Sequence, residues 1–181
     1  ESIPVIVGIT AEFVDPSAPL LTRLSCEGWT GYGWFGCRSE WKEGTLEVRL
    51  SEQKKDWCGF NLALPDTVRV DTKKVDPAAA FLTFRINGTA DSWGRHTGGQ
   101  ALQVCFTAIT GGKQTQSAQI RIAGFLADGE KGIDNDPATF QLVRIPLVKF
   151  FPDGMPDQLR NISFQFPGIA PAAGVDIRDL A

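Results

Sequence analysis

The chain has 181 residues, 43% of them hydrophobic and 22% charged, with a net charge of −3. One domain with a sizeable core fits those figures. The weak negative charge, without any basic run, argues against a nucleic-acid partner, and no apolar stretch approaches the roughly 20 residues of a membrane-spanning helix. The 19 glycines and 11 prolines favour many short elements joined by turns. The chain starts without an initiator methionine, a basic stretch or a long apolar stretch, which reads as a mature or excised piece.

The first unusual segment in chain order is residues 26–37, CEGWTGYGWFGC. Core strands carry Val, Ile and Leu, and glycine inside a strand weakens it. Here Trp29, Tyr32, Trp34 and Phe35 alternate with glycines, which leaves flat ring faces beside open backbone. If the segment is extended, Tyr32 and Trp34 share one face and Phe35 takes the other. Glu27, Arg38 and Glu40 offer polar partners. The competing reading makes Trp34 or Phe35 a plug at one end of a core.

Four cysteines, Cys26, Cys37, Cys58 and Cys105, permit three fully paired connectivities. They lack the CxxC pairs of a zinc site, and His96 is the one imidazole. The shortest loop makes Cys26–Cys37 the expected disulfide, with Cys58 and Cys105 paired to each other or free. Asn87-Gly88-Thr89 and Asn161-Ile162-Ser163 match the N-glycosylation triplet. Together these features lean towards a secretory or extracellular setting, against the alternative of reduced, buried thiols inside a cell.

From Thr45 onward the chain alternates with period two. TLEVRL sets Leu46, Val48 and Leu50 against Glu47 and Arg49. AFLTFRIN sets Leu82, Phe84 and Ile86 against Thr83 and Arg85. ALQVCFTA sets Leu102, Val104, Phe106 and Ala108 against Gln103 and Thr107. Further strands are expected over 119–122, 140–145, 162–166 and 175–177, each bounded by Gly, Pro, Asn or Asp. This is the pattern of half-buried antiparallel strands. Helical periodicity is confined to one turn at Pro77–Ala80. The expectation is an all-β, antiparallel β-sandwich with Leu82, Phe84, Ile86, Leu102, Val104, Phe106, Ile145 and Phe164 in its core. Trp57, beside Cys58, and Trp41 read as core residues, and Lys54, Lys55 and Asp56 as a solvated turn.

Two loops carry candidate chemistry. NGTADSWGRHTGGQ, residues 87–100, places Trp93 among Asp91, Arg95, His96 and Gln100 between two strands, where the ring needs a cover from a ligand or a neighbouring loop. DGEKGIDND, residues 128–136, offers Asp128, Glu130, Asp134 and Asp136 as oxygen donors. Its spacing does not match a calcium loop of the EF-hand kind, and a solvated loop accounts for it.

The order of motifs from AAFLTFRING through GGQALQVCFTA, FQLVRIPLVKF and DQLRNISFQFPG to AGVDIRDLA resembles the second half of galactose-binding-domain-like jelly rolls, the fold of many carbohydrate-binding modules. The matching residues are Phe140, Val143, Ile145, Pro146, Leu147 and Phe150, then Phe164 and Phe166, then 175–180. The segment is also similar to the C-terminal domain of certain family 3 β-glucan glucohydrolases and, less directly, to the complex I intermediate-associated proteins. The likeness covers residues 76–181 of a single domain spanning 1–181, and residues 1–45, with the aromatic loop, match none of these patterns. The resemblance implies a jelly roll, and it implies a structural calcium joining an early acidic residue to the last strand, for which Glu12 and Asp176 correspond.

The resulting functional expectation is a non-catalytic module that binds a polysaccharide, a β-glucan or related plant or algal glycan, by aromatic stacking. Sugar rings stack C–H groups on aromatic faces while their hydroxyls need donors and acceptors nearby. The expected contacts are Trp29, Tyr32, Trp34 and Trp93, with Arg95, Asp91 and Gln100 as polar anchors. A linked catalytic domain in a longer protein follows from the resemblance. The alternatives are a protein-docking or assembly domain of the same fold and, less favoured, an enzyme acting on glycosides. The chain has one histidine and no GxSxG, HExxH or phosphate-binding glycine loop.

Overall fold

A computed structural model of the protein describes residues 30–50, 57–64, 72, 75–88, 102–126, 133, 139–167 and 174–180. The alternating segments fold as eleven strands: β1 (Thr30–Trp34), β2 (Cys37–Lys42), β3 (Thr45–Leu50), β4 (Trp57–Ala63), β5 (Phe81–Gly88), β6 (Gln103–Thr110), β7 (Lys113–Gln116), β8 (Ile120–Arg121), β9 (Gln141–Pro146), β10 (Gln158–Pro167) and β11 (Gly174–Arg178). A four-residue helix α1 (Leu147–Phe150) follows β9. All pairings are antiparallel. One sheet runs β1-β4-β10-β6-β7, with β8 also on β6; the other runs β2-β3-β11-β5-β9. The two sheets form the β-sandwich expected from the alternation.

All eight residues expected in the core are buried. Period two explains why: in β4, Cys58, Phe60 and Leu62 point inward while Trp57, Asn61 and Ala63 are more exposed. Rings join the layers, with Phe60 of β4 stacked on Phe164 of β10 at 4.9 Å, and Phe164 meeting Phe84 of the opposite sheet edge-on at 5.4 Å. The IPL motif also acquires a physical meaning. Pro146 ends β9, and the backbone turns into α1, whose Leu147 and Phe150 are buried; Phe150 packs edge-on against Phe106 at 4.9 Å. Backbone bonds from Leu147 to Ala80 and from Val148 to Pro77 tie α1 to the turn preceding β5.

Tight turns set the hairpins. Glu43 and Gly44 join β2 to β3 with φ of 48° and 78°, and Gly111 and Gly112 join β6 to β7 with 57° and 75°. Positive φ at both central residues matches the right-handed twist of the strands. Phe35 and Gly36 also have positive φ, 53° and 93°, but they carry the chain from one sheet to the other. Phe35 therefore lies in a turn instead of continuing the strand.

Two sequence expectations are corrected. The Cys26–Cys37 disulfide is not made: Cys37, Cys58 and Cys105 are free, buried thiols, and Cys26 lies outside the described residues. Cys37 opens β2 with its side chain in the core cluster that also holds Cys58. Burial drives its thiol far above the ordinary value, helped by the nearby Cys58, whose own thiol burial pushes up to about 11. Trp57 is not core. It is 44% exposed, because inward Cys58 turns its neighbour outward. Trp41, by contrast, is partly buried against the core as expected. Asn87 is buried in β5 with its amide donating to the Thr139 carbonyl, which leaves no room for a glycan there. Among the described residues no helix is long and apolar enough to cross a membrane.

Candidate functional site

The outer face of the six-stranded sheet is built by register. Trp34 pairs with Gly59, Gly59 with Gln165 and Gln165 with Gln103; two residues along the strands, Tyr32 pairs with Asn61, Asn61 with Ser163 and Ser163 with Cys105. Paired residues point to the same side, so these eight positions form two parallel rows. Each row spans β1, β4, β10 and β6, roughly 14 Å at the usual strand spacing.

Tyr32 and Trp34 stand together on the edge strand, as expected, with ring centroids 6.4 Å apart and planes tilted by 53°. Tyr32 is 55% exposed. Gly59 explains how Trp34 sits: a Cβ there would come within 2.5 Å of the indole Cζ2 and 3.0 Å of Cε2. The indole thus lies over the bare backbone of β4 instead of standing away from it. Its Nε1 is enclosed without a hydrogen-bond partner among the described residues, so packing of the ring, and not its N–H, fixes its place.

Beside the rings runs a hydrogen-bonded chain of neutral groups. Asn61 Nδ2 donates to the Tyr32 hydroxyl at 2.6 Å, and Ser163 Oγ donates to Asn61 Oδ1. The Tyr32 oxygen accepts from Asn61, which leaves its own proton to donate outward. Further across, Gln116 Nε2 donates to Cys105 Sγ at 3.1 Å, and Gln119 Nε2 to Gln165 Oε1 at 3.2 Å. Burial pushes the Cys105 thiol up, and its hydrogen bonds with Gln116 and Ser163 act in the opposite sense. β1, β4 and β6 contain no charged residue, and β10 contains one, Arg160, at a bulge. Asn61 and Gln165 were not singled out from sequence, and Cys105 and Ser163 were noted there only as a cysteine and as part of a glycosylation triplet. The available signal was that each occupies the outward phase of a strand.

The opposite outer face differs. Lys42 Nζ bonds Glu47 at 2.9 Å, Arg49 Nη1 bonds Asp176 Oδ1 at 2.6 Å, and the Arg178 guanidinium lies 3.9 Å from the Phe140 centroid. An open groove of about 570 Å³ there is lined by Lys42, Glu43, Thr45, Glu47, Phe140 and Asp176. Arg38 and Glu40 also belong to this sheet, on β2, so they do not serve Tyr32 and Trp34. The guanidinium of Arg49 already engages the Asp176 carboxylate, which does not fit the calcium implied by the family resemblance. Glu12 lies outside the described residues, and no group of three metal-ligating side chains occurs among those described. Trp29, Asp91, Trp93, Arg95, Gln100 and the acidic loop 128–136, apart from Ile133, also fall outside them.

No protein-family model matches the sequence, and no curated protein matches it. Among solved structures the chain is similar to a family 30 carbohydrate-binding module, with a TM-score of 0.54 and 17% identity over 80% of this chain and 71% of that one. It is similar too to the family 30 carbohydrate-binding module of a cellulosomal cellulase of Clostridium thermocellum, with a TM-score of 0.51 and 18% identity over 80% and 79% of the two chains. The chain shares the jelly-roll fold of these modules, and the resemblance drawn from the C-terminal strands holds in three dimensions.

Proposed function

We propose that the chain is a non-catalytic carbohydrate-binding module that takes an uncharged polysaccharide, a β-glucan or a related plant or algal glycan, on the outer face of the six-stranded sheet. One observation carries the proposal: the exposed Tyr32 ring, the half-buried Trp34 ring and a row of neutral donors and acceptors share one sheet face. Tyr32 and Trp34 stack against sugar rings, while Asn61, Gln165 and Gln103 meet hydroxyls and the buried Ser163 orients Asn61. With one charged residue on β1, β4, β6 and β10 together, recognition is by geometry and hydrogen bonds, not by ionic attraction. The family 30 modules of the same fold support the reading.

Trp29 precedes β1 in the chain, and the segment with Asp91, Trp93, Arg95 and Gln100 leads into β6 at the Gln103 end. Both belong to this proposal as rim contacts. Such a module works where polysaccharide is found, which favours an extracellular or secretory setting and linkage to a catalytic domain in a longer protein.

A glycan array followed by titration calorimetry tests the proposal. Trp34→Ala is expected to weaken binding to the glycan found by at least about tenfold while the thermal midpoint stays close to the parent's. A parent protein that binds no glycan overturns the reading and favours the docking domain.

A further inference from the structure

Along β4 the outward positions are Trp57, Gly59, Asn61 and Ala63. Asn61 carries the level of Tyr32 and Gly59 the level of Trp34. Trp57 is the next outward level, level with Pro167 of β10 on one side. On its other side the Phe35 ring meets it edge-on, with centroids 4.8 Å apart and an interplanar angle of 78°. That contact holds the Trp57 ring in place without covering it, and the residue remains 44% exposed.

Tyr32, Trp34 and Trp57 therefore mark three successive levels along the strand direction, roughly 7 Å apart at two residues of strand rise per level. Across the strands, in the direction of β10 and β6, the outward residues are Gln165, Gln103, Ser163 and Cys105, and none is aromatic. The rings form a line parallel to the strands, and the neutral hydrogen-bonding groups lie along one side of that line. Its other side is the edge of the sheet among the described residues, where β1 pairs with β4 alone.

We infer that Trp57 is a third stacking position and that a bound glycan chain runs along β1 and β4, parallel to the strands, with its hydroxyls read from the β10 side. The inference rests on the carbohydrate-binding reading above and adds the direction and extent of the site. A ligand lying across the strands would meet one ring and then amides; a ligand lying along them meets three rings in succession.

The experiment is calorimetric titration with a ladder of β-glucan oligosaccharides, from disaccharide to hexasaccharide, against the parent, Trp57→Ala, Trp57→Phe and Trp34→Ala. Thermal midpoints are recorded for each. Parent affinity is expected to rise with each added sugar until all three rings are covered. Trp57→Ala should lose about tenfold on the longest oligosaccharides and nothing on the disaccharide, which sits on Tyr32 and Trp34. Trp57→Phe should recover part of that loss. Trp34→Ala should weaken every length. If Trp57→Ala binds the whole ladder like a binding parent, the inference fails and the proposed function stands. Equal losses at every length with a lowered midpoint assign Trp57 a structural role and also overturn it. A parent that binds none of the ladder overturns the β-glucan reading and this inference together.

Discussion

The outer face of the five-stranded sheet is a lattice of ions that answer one another: Lys42 with Glu47, Arg49 with Asp176, Arg85 with Asp179. The outer face of β1, β4, β10 and β6 is nearly without charge, with Arg121 of β8 at its rim beside Gln103, and its neutral groups are linked from Tyr32 through Asn61 to Ser163 and from Cys105 to Gln116. Both faces are polar and both cover the same core. The difference lies in what remains to offer. Paired ions have spent their electrostatics on each other, and exposed pairs of this kind contribute roughly 0–1 kcal/mol to stability. An amide fixed by one hydrogen bond keeps further donors and acceptors for a ligand, already oriented. Flat rings supported from below by Gly59 complete a surface on which uncharged, hydroxyl-rich molecules fit.

The sharpest way to break this contrast is Gly59→Val. A Cβ there meets the Trp34 indole at 2.5 Å and the Phe164 carbonyl oxygen at 2.4 Å. Overpacking of this kind is expected to cost about 3 kcal/mol in urea unfolding and to abolish glycan binding. Next comes Asn61→Ala, which frees both the Tyr32 hydroxyl and Ser163. Glycan affinity should fall about fivefold, roughly 1 kcal/mol, with little change in thermal midpoint. On the other sheet, Arg49→Ala should shift stability by less than about 1 kcal/mol, less still at high salt, and leave glycan binding unchanged. A loss of binding there equal to that of Asn61→Ala would erase the distinction between the faces.

The smallest effect is silent at neutral pH. Below about pH 8.5 the Cys58 thiol is protonated in both folded and unfolded states, and its contribution to stability is complete. Above that, the unfolded chain ionises while the folded thiol keeps its proton up to about 11. Stability should therefore fall across that window, more steeply in the parent than in Cys58→Ala, as read from urea midpoints. Ellman's reagent offers a companion check. In a Cys26→Ser background the native protein should leave Cys37, Cys58 and Cys105 unreacted, and denaturant should release all three.

The core could be read from sequence because inward burial is a local rule. Leu82, Phe84 and Ile86 alternate within one strand, so no knowledge of partners was needed. The pairing of Tyr32 and Trp34 on one face followed from the same rule. Trp57 was misread because a neighbouring cysteine suggested packing against a disulfide, whereas strand phase makes Cys58 inward and Trp57 outward. The Cys26–Cys37 bridge failed for a related reason: loop length suggested it, but Cys37 points into the core. The neutral network was hidden because it joins residues far apart in the chain. Asn61 meets Ser163 and Cys105 meets Gln165 only once β10 lies between β4 and β6, and period two fixes a residue's side without naming its neighbour.

That strand order has a consequence for how the chain is made. β10 lies between β4 and β6, and β11 lies between β3 and β5, yet both come last in chain order. Before they emerge from the ribosome, the native pairings open to the described strands fall into four separate pieces: β1 with β4, β6 with β7 and β8, β2 with β3, and β5 with β9. About 95 residues separate the end of β4 from the start of β10, a wait of roughly 5–20 s at typical synthesis rates. Throughout that interval β4 presents an unpaired edge, the kind that recruits other chains. A nascent chain cut short before Gln158 would be left as half-sheets, and the final two strands convert those pieces into one closed pair of layers.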